Sequence, residues 1–269
     1  MDFSTIIGFF GALAVLGFGI HETGVSQIFL NAHGLVIVLG GSFAAMLINT
    51  PTRMLLGAIR AFLKLFLSTK VPPLDDAITE IVKLAEKARS EGGLLTLQDE
   101  GKEMAGGFLN RALNVAISTG EANEARRIME EEIRQIRTRD LDNQNVWRTW
   151  GLLAPMFGLL GTLLGIITVL KTMSEPTKVG PAMAVAITSA FYGITLANLL
   201  CVPTAGKLRI RMNEEVLLYL VLVEGVLDIL DSKPPYLVEM HLNAYAHERK
   251  KKLASEGAGA PPLEEPAQV

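Results

Sequence analysis

Two long uncharged stretches in the second half of the chain dominate its pattern of hydrophobic and polar positions. Trp150–Leu170 and Pro181–Pro203 contain no Asp, Glu, Lys or Arg. Each has about the ~20 residues that a helix needs to cross a hydrocarbon core of roughly 30 Å. The pattern therefore predicts two membrane-spanning helices joined by a short loop.

Two further apolar stretches lie in the N-terminal part of the chain. Phe3–Ile20 is predicted to be a first span, and it is expected to stay uncleaved because no basic segment precedes it. Ile28–Ile48 is predicted to be the second span. The connector between them, His21–Ser26, is so short that the two spans are expected to form an antiparallel hairpin.

Helical patterns continue in the polar parts of the chain. The predicted helices are Met54–Leu67, Ala77–Arg89, Phe108–Ser118, Ala122–Asp140, Glu214–Leu230 and Tyr236–His247. Met54–Leu67 is amphipathic and is expected either to run along the membrane surface or to extend the second span. Acidic residues such as Glu224 and Asp228 argue against a fifth span, and the Pro-rich end is predicted to be disordered.

These elements define an all-α integral membrane protein with four transmembrane helices and a helical cytoplasmic domain between the second and third. The predicted parts are a transmembrane hairpin (1–50), a cytoplasmic helical domain (51–149), a transmembrane pair (150–205), cytoplasmic C-terminal helices (206–256) and a disordered tail (257–269).

The distribution of basic residues predicts the orientation. Of 25 Lys and Arg residues, only Lys171 and Lys178 lie in the loop between the third and fourth spans. Because positively charged loops stay in the cytoplasm, both termini and the central segment are expected there.

Composition excludes several classes of protein. A net charge of −3 without a basic stripe gives no indication of a nucleic-acid partner. The single cysteine, Cys201, and four scattered histidines offer neither a disulfide framework nor a metal site. No phosphate-binding loop, nucleophile elbow or HExxH motif is present, so we expect neither enzyme activity nor a cofactor.

Small residues are concentrated in the last two spans. Gly158, Gly161 and Gly165 recur at helical spacing, and Thr162 adds a hydroxyl. Small residues let helix backbones approach closely, whereas hydroxyls can also line a wet path. Both interpretations, tight helix packing alone and an ion path, are open on composition. A structural membrane scaffold is therefore one hypothesis.

Longer motifs resemble a known family. Ala154-Pro-Met-Phe-Gly-Leu-Leu-Gly-Thr-Leu-Leu-Gly, Gly180-Pro-Ala-Met-Ala-Val-Ala, Phe191-Tyr-Gly-Ile-Thr-Leu-Ala-Asn and Pro203-x-Ala-Gly-Lys-Leu resemble the MotA/PomA flagellar stator proteins of the MotA/TolQ/ExbB proton channel superfamily. The TolQ/ExbB branch has a similar third span, but it has one span before its cytoplasmic domain, whereas two are predicted here.

The resemblance implies an ion-conducting stator subunit that couples the flow of H+ or Na+ to torque on a FliG-like rotor. It implies a homopentamer around a MotB-like, single-span, peptidoglycan-binding partner whose aspartate takes the ion. The alternative is a TolQ/ExbB-like energiser of a periplasm-spanning partner.

The resemblance also assigns residues to the ion path and partner-facing surface: Pro155, Gly158, Thr162, Gly165, Ser189, Ala190 and Pro203. On residue type alone, Pro155 could equally begin a helix. Thr162 matches a threonine typical of sodium-driven members, whereas Ser189 and Ala190 occupy positions where two threonines are usual, and this pattern favours protons.

A second motif implies a rotor contact. Ala88-Arg-Ser-Glu-Gly-Gly-Leu-Leu-Thr-Leu-Gln-Asp resembles the family motif whose arginine and glutamate meet the rotor, with Arg89 as the arginine. Gln98 occupies the glutamate position, and the spacing is longer by one residue. Asp99, Glu131 and Glu132 are therefore the acidic candidates.

Overall fold

A computed structural model describes residues 3–24, 26, 28–29, 31–66 and 71–258. These residues form helices and turns with no β-strand, which confirms the all-α prediction. The helices are α1 (Phe3–Glu22), α2 (Ala32–Asn49), α3 (Thr52–Phe66), α4 (Leu74–Ser90), α5 (Phe108–Thr119), α6 (Ala122–Lys171), α7 (Pro176–Leu230) and α8 (Pro235–Ala258).

Two of these helices contain a wider, π-helical turn. In α2 the turn is Val36–Gly40, and in α7 it is Leu196–Cys201. The chain forms two compact units. Unit 1 comprises Met1–Thr69 with Arg139–Ile210, and unit 2 comprises Lys70–Thr138 with Arg211–Val269.

Three helices, α2, α6 and α7, are long and apolar enough to cross a membrane. In α1, the apolar part among the described residues is Ile6–Glu22, which is shorter than that length. The structure therefore agrees with a helical membrane protein, and the number of four spans stays a prediction.

The start of α2 is fixed by a side-chain cap. The Asn31 side chain accepts hydrogen bonds from the backbone N–H groups of His33 at 3.0 Å and Gly34 at 3.2 Å. Such a cap satisfies amide groups that have no partner inside the helix. The second span was predicted to begin at about Ile28, whereas the helix begins at Ala32, directly after this cap.

The end of α2 separates it from α3. Thr50 has extended backbone angles, φ −131° and ψ 129°, immediately before Pro51. A residue before proline is disfavoured in the helical conformation. Of the two alternatives for the amphipathic segment, an extension of the second span is therefore wrong. The predicted end of this segment, Leu67, lies outside the described residues.

Helix α6 is one element of 50 residues. Ala122–Asp140 and Trp150–Leu170 were predicted as separate helices, and this division is wrong because no glycine or proline interrupts residues 141–149. Pro155 therefore lies inside the helix rather than at its start. There it removes the hydrogen bond that its missing N–H would have made to the carbonyl four residues earlier.

Helix α7 likewise joins two predicted elements. Pro181–Pro203 and Glu214–Leu230 were predicted separately, yet the helix runs from Pro176 to Leu230. Pro176 stands at its first position, where a missing N–H costs nothing. Helix α8 extends to Ala258, beyond the predicted end at His247. The rest of the predicted disordered tail, residues 259–269, lies outside the described residues.

Each unit has its own apolar core. In unit 1, Trp147 and Met46 are buried with Cys201. In unit 2, α8 packs against α4. A Cβ atom on Gly225 of α7 would lie 2.6 Å from Ile81 Cγ2 of α4, so this glycine allows the two helices to approach closely.

Candidate functional site

Most of the predicted ion-path residues lie along a contact between α6 and α7 within unit 1. We call this contact, in which residues 154–165 of α6 pack against residues 186–193 of α7, the glycine seam. A Cβ atom on Gly158 would lie 2.9 Å from the Ser189 carbonyl oxygen, and one on Gly165 would lie 2.7 Å from Ala186 Cα. Backbone atoms cannot move aside as a flexible side chain can. Glycine is therefore required for the approach of these two helices.

Thr162 links the two helices across this seam. Its Oγ1 donates to the Gly158 carbonyl of its own helix and to the Ala186 carbonyl of α7, each at 3.1 Å. The single hydroxyl proton is thus shared between two carbonyls. The oxygen lone pairs of the half-buried side chain are the groups left to accept a proton or to contact a cation.

Ser189 lies where three helices of the chain meet. Its side chain is fully buried, and its Oγ donates to the Val185 carbonyl at 2.7 Å. Cβ atoms on Gly34 of α2 and Gly161 of α6 would lie 3.0 Å and 2.5 Å from this hydroxyl oxygen. The surroundings of Ser189 are therefore supplied by its own chain.

The seam brings most of the predicted path residues together. Ala190 is half-buried, with its Cα 3.4 Å from the position of a Gly158 Cβ, and Pro155 is half-buried opposite Gly193. Pro203 is the exception. It is exposed and lies 14 residues beyond Ser189 along α7, a separation of roughly 21 Å at 1.5 Å per residue.

Two residues near the seam, Tyr192 and Thr188, were not predicted as site residues. The Tyr192 hydroxyl donates to the Phe29 carbonyl, and it accepts a hydrogen bond from the Asn31 N–H at 3.2 Å. Thr188 is fully buried and donates to the Ala184 carbonyl at 2.7 Å. A tyrosine and an adjacent hydroxyl pair in a span of small residues were the available clues.

Two tryptophans of α6, Trp147 and Trp150, contact α2 and α3 at the end of the apolar helices that is distant from the α6–α7 loop. Trp147 Nε1 donates to the Ala58 carbonyl at 3.1 Å, and Trp150 Nε1 donates to Ser42 Oγ at 3.1 Å. The Trp147 ring also packs against Phe62 of α3, with ring centroids 4.9 Å apart. Helices α2, α3 and α6 are joined in this cluster.

The predicted rotor-contact residues lie in unit 2, and three of them, Arg89, Gln98 and Asp99, are at or shortly after the end of α4. Arg89 is exposed and makes no hydrogen bond or ion pair with any other described residue. Gln98 is exposed as well, and its carbonyl accepts from Asn110 Nδ2 at 2.9 Å. Asp99 pairs with Lys102 at 2.7 Å, and the hydrogen bond from that ammonium group lowers the pKa of Asp99.

The other two acidic candidates are engaged by arginines. Glu131 pairs with Arg134 on the same helix. Glu132 pairs with Arg111 of α5, with Arg111 Nη2 2.7 Å from Glu132 Oε1. Both carboxylates have local partners, so Arg89 is the charged candidate that has none in the part of the chain that the structure describes.

An ionic cluster around two buried carboxylates in unit 2, those of Glu224 and Asp228, was not predicted. Arg126 of α6 donates to both carboxylate oxygens of Glu224, at 2.5 and 2.8 Å, and this pairing raises the pKa of Arg126. Asp228 is 2% exposed and contacts Lys233 Nζ and His241 Nδ1, each at 2.6 Å. The hydrogen bond to Asp228 raises the pKa of Lys233.

No group of three or more His, Cys, Asp or Glu side chains that could hold a metal ion occurs among the described residues. The sequence also places no carboxylate between residues 176 and 213 or between residues 149 and 170. The seam can therefore offer hydroxyl and carbonyl oxygens to an ion but cannot take up a proton on an acidic side chain.

Known proteins are similar to this chain in both sequence and fold. Residues 100–220 match the sequence model of the MotA/TolQ/ExbB proton channel family. The chain is 31% identical over 253 residues to chemotaxis protein PomA of Vibrio alginolyticus, covering 94% of this chain and 98% of the relative. It is 30% identical over 259 residues to motility protein A of Bacillus subtilis, covering 96% of each.

A solved structure, that of the flagellar MotAB stator complex from Bacillus subtilis, matches with a TM-score of 0.83 at 30% identity, covering 93% of this chain and 99% of that chain. The C. jejuni MotAB structure matches with a TM-score of 0.81 at 22% identity, covering 100% and 99%, and shows likeness of fold. The chain therefore belongs to the MotA/TolQ/ExbB proton channel family.

Within that family it is an ion-channel subunit of the flagellar stator type. The family consists of channel subunits and not of enzymes, which confirms the prediction from the sequence.

Proposed function

We propose that this chain forms a stator channel with a MotB-like, single-span, peptidoglycan-binding partner and converts ion flow into torque on a FliG-like rotor. The observation that carries the proposal is the absence of a carboxylate from residues 149–170 and 176–213. A channel with no acidic group in its own spans needs one from another chain. The similarity to a MotAB complex supports such a partner.

The six predicted path residues of the seam, which exclude the distant Pro203, divide by their surroundings. Gly158, Gly165 and Ser189 are buried between helices of the same chain, so their role is to hold α6 and α7 at a short distance. Pro155 and Thr162 are half-buried. We assign the partner-facing path to these two residues and Ala190.

Assembly into a pentamer around the partner helices is supported by the exposed apolar side chains of α6. Leu159 is 61% exposed, Ile167 60% and Leu170 63%. In a membrane these side chains can contact lipid or a second copy of the chain, and subunit contacts on both sides of each chain are what a closed ring requires.

The proposed location is the bacterial inner membrane with both termini in the cytoplasm. The basic residues near the span ends support this orientation, since only Lys171 and Lys178 lie between the predicted third and fourth spans. Unit 2 then lies on the cytoplasmic side, where Arg89 is exposed without a partner among the described residues. We propose Arg89 as the main rotor contact, with Gln98 and Asp99 beside it.

Protons are the proposed coupling ion. A sodium ion that sheds its water needs several oxygen ligands, and Ala190 offers no side-chain oxygen. Ser189 Oγ and Thr188 Oγ1 each donate to a carbonyl of their own helix. Thr162 is left as the one half-buried hydroxyl of the assigned path.

A motility assay tests the function and the ion together. A strain without its own stators would express this chain with its partner, and swimming speed would be measured across a sodium titration at fixed pH, with and without a protonophore. Speed that ignores sodium and is abolished by the protonophore supports protons. Speed that follows sodium and survives the protonophore replaces protons with sodium. Swimming that does not depend on the chain overturns the stator function.

A further inference from the structure

An apolar cavity of about 310 Å³ lies in unit 1 between α1, α3 and α7. Its volume is at the lower end of the ~300–1,000 Å³ that is usual for small-molecule sites. All three helices line it, α1 with Phe9 and Ala12, α3 with Phe62 and Leu65, and α7 with residues that include Pro203 and Lys207. Pro203, which lies outside the glycine seam, lines the cavity, and none of the seam residues does, so the cavity is separate from the seam.

The cavity extends from an apolar region to a charged one. Leu199 and Leu200 line it within the uncharged part of α7, and Lys207, the first charged residue after that part, lines it as well. Phe62 connects the cavity wall to the Trp147 ring. Tryptophan is enriched where membrane meets water, so an occupant would have an apolar body and a polar end.

Charge defines the polar end. Lys207 lines the cavity, Arg209 follows it two residues later in α7, and α3 contributes further basic residues near its lining side chains, Arg60 and Lys64. Basic pockets between transmembrane helices on the cytoplasmic side are sites for anionic lipid headgroups. A helix with its side chains is about 10–12 Å across, so a whole helix of a partner protein does not fit in a cavity of this volume.

We propose that the cavity binds one acyl chain of an anionic phospholipid, with the phosphate of its headgroup at Lys207. The site differs from the general contact of the spans with the bilayer because it selects a headgroup charge. The proposal does not depend on which ion the channel conducts or on whether the chain acts on a rotor.

The test uses the full-length chain, purified with its partner, in nanodiscs that contain dibrominated phosphatidylglycerol or dibrominated phosphatidylcholine. Bromine quenches nearby indoles, and the Trp147 signal is obtained as the difference between the wild type and the Trp147→Phe variant. Half-maximal quenching is expected at about fivefold less phosphatidylglycerol than phosphatidylcholine, since one basic residue near the surface favours an anionic lipid by about that factor.

Matched variants separate the two parts of the site. Lys207→Gln should remove the preference for phosphatidylglycerol. Lys178→Gln, near the start of α7 and away from the cavity, should keep it. Ala12→Phe should fill the cavity and reduce quenching by both lipids. Ala14→Phe, at an exposed position of α1 that does not line the cavity, should not.

Mass spectrometry of the intact complex provides a readout that needs no tryptophan variant. Retained phosphatidylglycerol in the wild type, absent in Ala12→Phe, supports the site. Equal retention of the two lipids, or quenching in Ala12→Phe that equals the wild type, overturns it.

Discussion

Gly193 of α7 lies against the backbone carbonyl of Ala154 in α6, so that a Cβ atom on Gly193 would stand 2.6 Å from the carbonyl oxygen. The same added atom would be 3.1 Å from Pro155 Cα. Neither backbone atom can rotate away. The contact therefore sets the distance between α6 and α7 beside a residue of the proposed ion path.

Gly193→Ala should force the two helices apart at this point. We expect a loss of about 1–3 kcal/mol in stability, the usual cost of overpacking, and a reduced swimming speed. Gly180→Ala is the matched control, since nothing lies within 4 Å of a Cβ atom there. Thermal unfolding of the purified complex measures both variants, and equal melting temperatures would show that the seam tolerates a methyl group.

Thr162→Val should impair ion flow more than Thr162→Ser. Valine removes the hydrogen bonds to the Gly158 and Ala186 carbonyls, whereas serine keeps the hydroxyl. The expected cost in stability is about 0.5–1 kcal/mol, as for other hydrogen bonds between membrane helices. Proton flux into vesicles and swimming speed are the measurements. A fully active Thr162→Val variant would remove this hydroxyl from the path.

Arg89→Glu should strongly reduce swimming, because reversal of an exposed charge at an interface replaces attraction with repulsion. A reversed charge on the rotor should restore part of the speed. Arg137→Glu is the control, an exposed arginine of α6 that also has no partner among the residues described. Similar defects in both variants, without rescue by the rotor change, would indicate a general effect of charge.

Glu224→Gln should destabilise unit 2, because it removes the negative charge and one of the two oxygens that accept hydrogen bonds from Arg126 at a buried position. A hydrogen bond to a charged group contributes about 1.5–3 kcal/mol, and we expect the lower part of this range since the Arg126 side chain is 39% exposed. Glu130→Gln is the control, since Glu130 is exposed and lies 3.6 Å from the same arginine. An equal fall in melting temperature would contradict the pairing.

The contact between Lys233 and Asp228 predicts that the stability of the folded protein falls at alkaline pH. Asp228 raises the pKa of Lys233 above its ordinary value of 10.5, so the folded state holds this proton more tightly than the unfolded state. The stabilisation is complete below the ordinary value and is lost as the pH rises through the raised pKa. Lys233→Met should therefore lower the melting temperature at pH 7.

The difference in melting temperature between Lys233→Met and the wild type should become smaller as the pH is raised to 11. Lys83→Met serves as the control, because Lys83 is exposed and lies 3.9 Å from Glu80, and it should change the melting temperature little at either pH. A difference for Lys233→Met that grows with pH would contradict the assigned direction of the pKa change.

Local signals in the sequence predicted those helices that end at recognisable residues. Phe108–Ser118 was predicted and Phe108–Thr119 is observed, because Gly120 adopts a left-handed conformation with φ 64° just beyond the last turn. Helices α6 and α7 were divided wrongly because a change from charged to apolar residues was taken as a boundary. Polarity determines which environment a helix surface meets, and it does not end the helix.

The candidate site was predictable only in part. Glycine spacing indicates that some helix approaches Gly158 and Gly165, but it does not identify the partner. The contacts of Tyr192 with Phe29 and of Arg126 with Glu224 join residues that lie 163 and 98 positions apart. No periodicity within a single helix relates such pairs, so they emerge only from the fold.

The π-helical turn Leu196–Cys201 has a consequence for how this helix can change. A π turn contains one residue more than an α-helical turn, so each residue after it is rotated by about 100° relative to a regular continuation of the helix. Substitutions within the turn leave this phase unchanged. Deletion of a single residue would instead rotate the whole following segment, moving Lys207 away from the cavity while leaving the seam intact. Insertions and deletions, rather than side-chain replacements, are therefore the changes that would realign the two halves of α7.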